Sequence, residues 1–309
     1  RSTQGVSSAA SDVYKRQVIS CDDHIQLDKD NWTKRMSEKK WGSKIPQIRP
    51  TQDAKHMAVD WGEPDTWRWF VYDNPESPRG VANCPTALQD PKWGDAGARR
   101  KYFPQRWEEV PKKIYDPIER LKALDEDGVD AEVLFPNDPV QGGTFLQGTA
   151  EFELDCIRAY NDGLAEWRQV SDRFIPLANI PMLGSISATV AEVERASQIG
   201  HRGINMVAEP RSMHKSLPHF NDPYWYPLWE ACQALQMPVH WHSSAGLKLN
   251  FQQWSGYSRN ESQAMGPAAG FSSIAQFIPN LIFSGVLDRY PLLQWVCAET
   301  GLGLSLFVE

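Results

Sequence analysis

The chain has 309 residues, 41% of them hydrophobic and 23% charged, the composition of a globular protein with a sizeable core rather than a disordered or fibrous one. Its 32 basic and 39 acidic residues leave a formal charge of −7, so the global positive field that would hold nucleic acid or an anionic membrane surface is missing. No run of about 18 uncharged apolar residues occurs, and the 5 cysteines stand singly, without a CxxC pair, which argues for reduced thiols in a cytoplasmic protein rather than a disulfide framework.

Residues 1–17 are small and polar without apolar periodicity, and they read as a non-native or disordered leader; the organised chain is expected over 18–309. Residues 18–24 (VISCDDH) form a first strand with polar residues at its end. A stretch over about 25–110 then breaks the rhythm and holds 7 of the 13 tryptophans: Trp32, Trp41, Trp61, Trp67, Trp69, Trp93 and Trp107. It reads either as a lid presenting rings to a flat substrate or as an insertion packed onto the main body.

From residue 111 onward, short apolar runs alternate with segments of helical period, the pattern of repeated βα units around a parallel sheet. Asp116-Pro117 supplies an N-cap and a proline at the first helical position, Ile118, Leu121 and Leu124 follow at helical spacing, and Gly128 ends the helix. Residues 131–135 (AEVLF) are the second strand. Ile157, Tyr160, Leu164 and Trp167 mark the next helix, and residues 174–181 (FIPLANIP) the third strand. Val190, Val193, Ala196 and Ile199 stripe a helix that stops at Gly200, before a fourth strand at 203–208 (GINMVA). Asp222-Pro223 opens a helix carrying Leu228, Cys232 and Leu235; residues 239–242 are the fifth strand and 293–299 (LQWVCAE) the sixth.

Six such strands fit either a doubly wound sheet or part of an eight-stranded barrel. The polar residues favour the barrel, because Asp22, His24, His242 and Glu299 each end a strand, where the loops of a parallel barrel open its site. No glycine-rich phosphate cradle follows any strand, which demotes a dinucleotide-binding fold. The expectation is an α/β chain forming part of a (β/α)8 TIM-barrel.

Asp22 and His24 are alternate residues of one strand and share a face. A strand-borne carboxylate and imidazole, completed by a distant imidazole from the triplet His240-Trp241-His242, is a mixed oxygen and nitrogen donor set suited to Zn2+ or Mn2+. Glu299 ends an apolar strand and reads as a functional carboxylate or as half of a structural salt bridge. His56, His201, His214 and His219 fall in loops or at helix ends and are expected at the surface.

The blocks VISCDDHIQ, DPIERLKALDEDGVDAEVLFPN, AYNDGLAEW, DRFIPLANIP, GHRGINMVAEP, NDPYWYPLWEACQALQMPVHWHS and IFSGVLDRYPLLQWVCAETGLG resemble the amidohydrolase-related family, more narrowly its aminocarboxymuconate-semialdehyde decarboxylase branch. The resemblance implies a (β/α)8 TIM-barrel of the metal-dependent hydrolase type with Asp22, His24 and His242 as metal ligands, His240 at a usually apolar position, and Glu299 where better-known decarboxylases carry histidine. It also implies a further aspartate ligand on an eighth strand. With only six strands legible, a barrel truncated after about six strands is expected. The function expected is that of a carboxy-lyase for a small aromatic or unsaturated carboxylic acid, with Glu299 moving the proton. The alternatives are a metal-dependent hydrolase of a lactone, ester or amide, and an inactive fragment keeping part of a metal site. A small carboxylic acid is the expected partner, without nucleic acid or membrane, and a homodimer is compatible with the chain.

Overall fold

The computed structural model describes residues 17–51, 67–76, 80–84, 103–137, 139, 140, 145, 146, 148–242 and 277–298. Nine strands run through them in chain order: β1 (Ile19–Ile25), β2 (Gln47–Pro50), β3 (Trp67–Val71), β4 (Asn74–Glu76), β5 (Ala131–Pro136), β6 (Phe174–Asn179), β7 (Gly203–Asn205), β8 (Val239–Trp241) and β9 (Trp295–Cys297). Six of them form one parallel sheet in the order β1-β5-β6-β7-β8-β9. The crossover helices are α1 (Pro117–Asp127), α2 (Ala150–Val170), α3 (Ile186–Gln198) and α4 (Tyr226–Ala234).

Local chemistry sets these boundaries. The Asp116 carboxylate accepts from the backbone N–H of Ile118 at 2.9 Å and of Glu119 at 3.1 Å, Pro117 opens α1, and Gly128 closes it at φ 69°, in the left-handed region that glycine enters without a Cβ penalty. Thr149 caps α2 through Phe152 N at 3.2 Å, and Ser185 caps α3 through Ala188 N at 3.3 Å. All six strands read from the apolar runs are present, each within a few residues of its expected span.

The sheet curls. In a flat sheet, β1 and β8 would lie roughly 19 Å apart, four steps of about 4.8 Å, yet His24 Nε2 and His242 Nε2 are 2.9 Å apart. Val133, Phe135, Leu177 and Ala298 pack together on the concave side, so residues beside the first and last paired strands share one small core. The described strands are thus the wall of a (β/α) barrel. No helix among the described residues is long and apolar enough to cross a membrane.

The segment that breaks the βα rhythm contains the antiparallel sheet β2-β3-β4. Trp32, Trp69 and Trp107 are buried in it, with edge-to-face contacts at 5.4 Å (Trp32 with Trp69) and 6.4 Å (Trp69 with Trp107). It lies along α2: Trp32 Nε1 donates to the Cys156 carbonyl at 3.1 Å and Asn31 Nδ2 to the Ala159 carbonyl at 3.0 Å. Gly163 permits this approach, since a Cβ there would stand 2.1 Å from Asn31 Oδ1. For these tryptophans the packing reading holds; Trp41 and Trp67 are partly buried against the same core, while Trp61 and Trp93 lie outside the described residues, as does nearly all of the leader.

Buried titratable groups tie helices to strand ends. Glu153 of α2 is fully buried, accepts from Met182 N at 2.9 Å and Leu183 N at 2.7 Å, and burial lifts its carboxyl to about 7. His201 corrects the surface expectation. Gly200 turns the chain beneath α2, the ring is 1% exposed with its Nε2 donating to the Asn161 carbonyl at 2.9 Å, and burial lowers it to about 4. His214 and His219 are exposed as expected, and His56 lies outside the described residues.

Two outcomes follow. Trp69→Ala is expected to lower stability by about 3–5 kcal/mol, the usual range for a large buried ring, measured by denaturant unfolding. Glu153 binds its proton more tightly folded than unfolded, so its favourable contribution is complete below the unfolded value and is lost as pH rises through about 7. Stability should therefore fall as pH rises through about 7, and Glu153→Ala, which removes the titrating group, should flatten that fall; denaturant unfolding on both sides of pH 7 checks this.

Candidate metal centre

Asp22, His24 and His242 converge at the C-terminal ends of β1 and β8. Asp22 and His24 share a face of β1, as alternation requires, and His242 arrives from β8 through the curl. Asp22 Oδ1 is 3.8 Å from His24 Nε2 and 3.4 Å from His242 Nε2, and the two Nε2 atoms are 2.9 Å apart. Donor atoms sharing one ion at about 2.1 Å stand about 3–3.5 Å from one another, so these three can hold a single divalent cation. One carboxylate oxygen with two imidazole nitrogens suits Zn2+ or Mn2+.

The surroundings prepare the donors. His24 Nδ1–H donates to the Pro136 carbonyl at the end of β5, 3.2 Å away, which leaves Nε2 with its lone pair toward the other two residues. Phe135 forms an apolar floor, its ring 5.9 Å from that of His24 and 5.3 Å from that of His242. The site opens outward: the side chains of Asp22 and His24 are 37% and 32% exposed, that of His242 only 13%.

His240 has a different place. It lies two residues below His242 inside the barrel wall, its ring 6.0 Å from Phe135 and close over Gly203, where a Cβ would stand 2.8 Å from the imidazole. Burial lowers its pKa to about 4, so the ring is neutral at pH 7 and fills the interior. Glu299 lies outside the described residues.

Sequence reasoning missed the Pro136 carbonyl and Phe135 as parts of the site. A carbonyl carries no side-chain signal, and Phe135 looks in sequence like any other residue of an apolar strand.

A family model described as amidohydrolase matches residues 78–305. The chain belongs to the amidohydrolase family. It is 28% identical over 208 residues, 64% of the chain, to gamma-resorcylate decarboxylase of Polaromonas sp. (strain JS666 / ATCC BAA-500), and 28% identical over 201 residues, 63% of the chain, to 2-amino-3-carboxymuconate-6-semialdehyde decarboxylase of Dictyostelium discoideum. The matches span 60% and 50% of those two proteins. Among solved structures, an amidohydrolase from Mycobacterium avium subsp. paratuberculosis K-10 is similar in fold, with a TM-score of 0.66 at 19% identity over 94% of this chain and 74% of that one.

If the three donors share an ion, His242→Ala and Asp22→Ala should each weaken Zn2+ or Mn2+ binding by at least the roughly 10- to 100-fold typical of losing an outer-shell partner, measured by calorimetric titration. Affinity equal to that of the unsubstituted protein in both variants would show that they do not form one site.

Proposed function

We propose that the protein is a divalent-metal-dependent decarboxylase of small aromatic or unsaturated carboxylic acids. The observation that carries this reading is the gathering of one carboxylate and two imidazoles at the strand ends, with Nε2 of His24 aimed into the cluster by the Pro136 carbonyl. The names of the two similar proteins supply the reaction class. Five cysteines without a pairing motif support a reducing compartment such as the cytoplasm.

Asp22, His24 and His242 would hold Zn2+ or Mn2+, and that ion supplies electrostatic stabilisation of negative charge developing on the substrate oxygens. The chain's own groups do the rest. Asp22 contributes the single negative charge of the donor set, so a carboxylate substrate meets an excess of positive charge. Phe135 presents a flat apolar surface beside the donors and excludes water from that side. We assign proton delivery to Glu299, whose carboxyl follows the apolar run of β9 in sequence. A proton is added at the carbon bearing the carboxylate, the bond to that carboxylate then breaks with its electron pair returning to the substrate skeleton, and CO2 leaves.

The test is product analysis on the metal-loaded chain with a panel of hydroxybenzoates and muconate semialdehydes, beside lactones, esters and amides. Decarboxylation releases CO2 in step with loss of the acid, and Glu299→Gln lowers kcat by about 10²–10⁴-fold, the usual worth of a proton-transfer group. New acid groups from the lactone, ester or amide without CO2 would replace this reading with a hydrolase. No turnover of any of them by a metal-filled site would leave a metal-binding chain without catalysis.

A further inference from the structure

Between the two β1 donors stands Asp23, which points away from them. The pairing of β1 with β5 jumps here: Ser20 is opposite Glu132 and Asp23 opposite Leu134, so three steps on β1 match two on β5. Such a bulge re-aims the side chains it carries, and this one spans Ser20 to Asp23, so Asp22 lies within it. Arg120 of α1 reaches β1 and β5 at this point. Its guanidinium grips the fully buried Glu132 through Nε at 2.9 and 3.0 Å and Nη2 at 2.6 Å, and the same Nη2 stands 3.5 Å from Asp23 Oδ1. The other Asp23 oxygen is buried and has no hydrogen-bond partner among the described residues.

We propose that Arg120 is a positioning residue of the metal centre: by drawing Asp23 toward α1 it locks the bulge in β1 and presents Asp22 and His24 to the ion from the opposite face. The proposal rests on the metal-centre reading above. Asp23 is covalently joined to both donors, so any rotation of its backbone moves Asp22 Oδ1 and His24 Nε2 together, and these must meet His242 within a few tenths of an ångström. Glu132 fixes where the guanidinium sits. Without Arg120, the fully buried Glu132 and the neighbouring Asp23 lose the cation they share, and the exposed side of β1 is free to yield.

The sign of the effect separates this role from a simple field effect. Arg120 is a cation near a site for a dication, so removing it should tighten metal binding if only Coulomb repulsion mattered. Loss of positioning weakens it instead. The experiment titrates Mn2+ and Zn2+ into the full chain and its variants by calorimetry and records thermal unfolding of each. Arg120→Met is expected to weaken affinity about 10- to 100-fold. Arg120→Lys, which keeps the charge but cannot grip Glu132 and reach Asp23 with a planar fork, should weaken it by a smaller factor, and it carries the test if Arg120→Met does not fold. Arg195→Met is the control. It strips a guanidinium from the equally buried Glu192 in α3 and should lower the unfolding temperature while leaving metal affinity within twofold. Unchanged or tighter binding in the Arg120 variants overturns the proposal, as does equal weakening in Arg195→Met, which would reduce the effect to stability. If the unsubstituted chain binds neither ion, the metal-centre reading itself fails, and this proposal with it.

Discussion

The inward packing of Val133, Phe135, Leu177 and Ala298 bends the parallel sheet until the ends of β1 and β8, with three strands between them, present atoms 2.9 Å apart. Without that curvature Asp22 and His24 would remain a pair on one strand, and His242 would belong to a distant surface. Parallel strands connected by helices place all their C-terminal ends on one side, and curvature then turns a row of strand ends into a ring. Phe135 serves both purposes. Its ring belongs to the concave core and also lies against the imidazoles of His24 and His242.

Three fully buried carboxylates hold the helical layer together and to this wall, and each is satisfied differently. Glu132 on β5 is gripped by Arg120 of α1; Glu192 on α3 is met by Arg195, Arg158 and Asn161; Glu153 on α2 accepts two backbone N–H groups from the loop after β6. Removing one partner of such a group costs several times more than the intact contact contributes, because a charge is left where water cannot reach it. The Glu132 and Glu153 contacts join a helix to the strand layer, whereas the Glu192 contact joins α2 to α3. One of them, the Arg120–Glu132 pair, also lies beside the bulge that carries Asp22, which joins the helix layer to the metal centre through a single side chain.

The helical crossovers were legible because their signals are local. Asp116-Pro117 with Gly128, Thr149 before α2 and Ser185 before α3 cap helices through atoms two to four residues away. The sheet β2-β3-β4 was not legible, because four of the five β3 residues, Arg68 included, are buried, so the strand lacks an exposed polar face, and β2 meets β3 only across a long separation in sequence. His201 misled for a related reason: a histidine after a glycine turn looks like a surface residue until the tertiary fold places the Asn161 carbonyl in front of it.

By itself the sequence determined the six parallel strands, the cap of α1 and the shared face of Asp22 and His24 as candidate donors, since alternation on a strand follows from backbone geometry, while the triplet His240-Trp241-His242 left two imidazoles to choose between. It could not determine that these donors meet. The distance from His24 to His242 spans 218 residues of chain and is decided by sheet curvature, a collective result of side-chain volumes on the concave face. Nor could it show which nitrogen of His24 is available, because that depends on the Pro136 carbonyl of a neighbouring strand. The role of Arg120 is of the same kind: one guanidinium reaches two carboxylates 109 residues apart (132 − 23) only because α1 packs across β1 and β5, and side-chain reach across packed elements exists only in the folded protein.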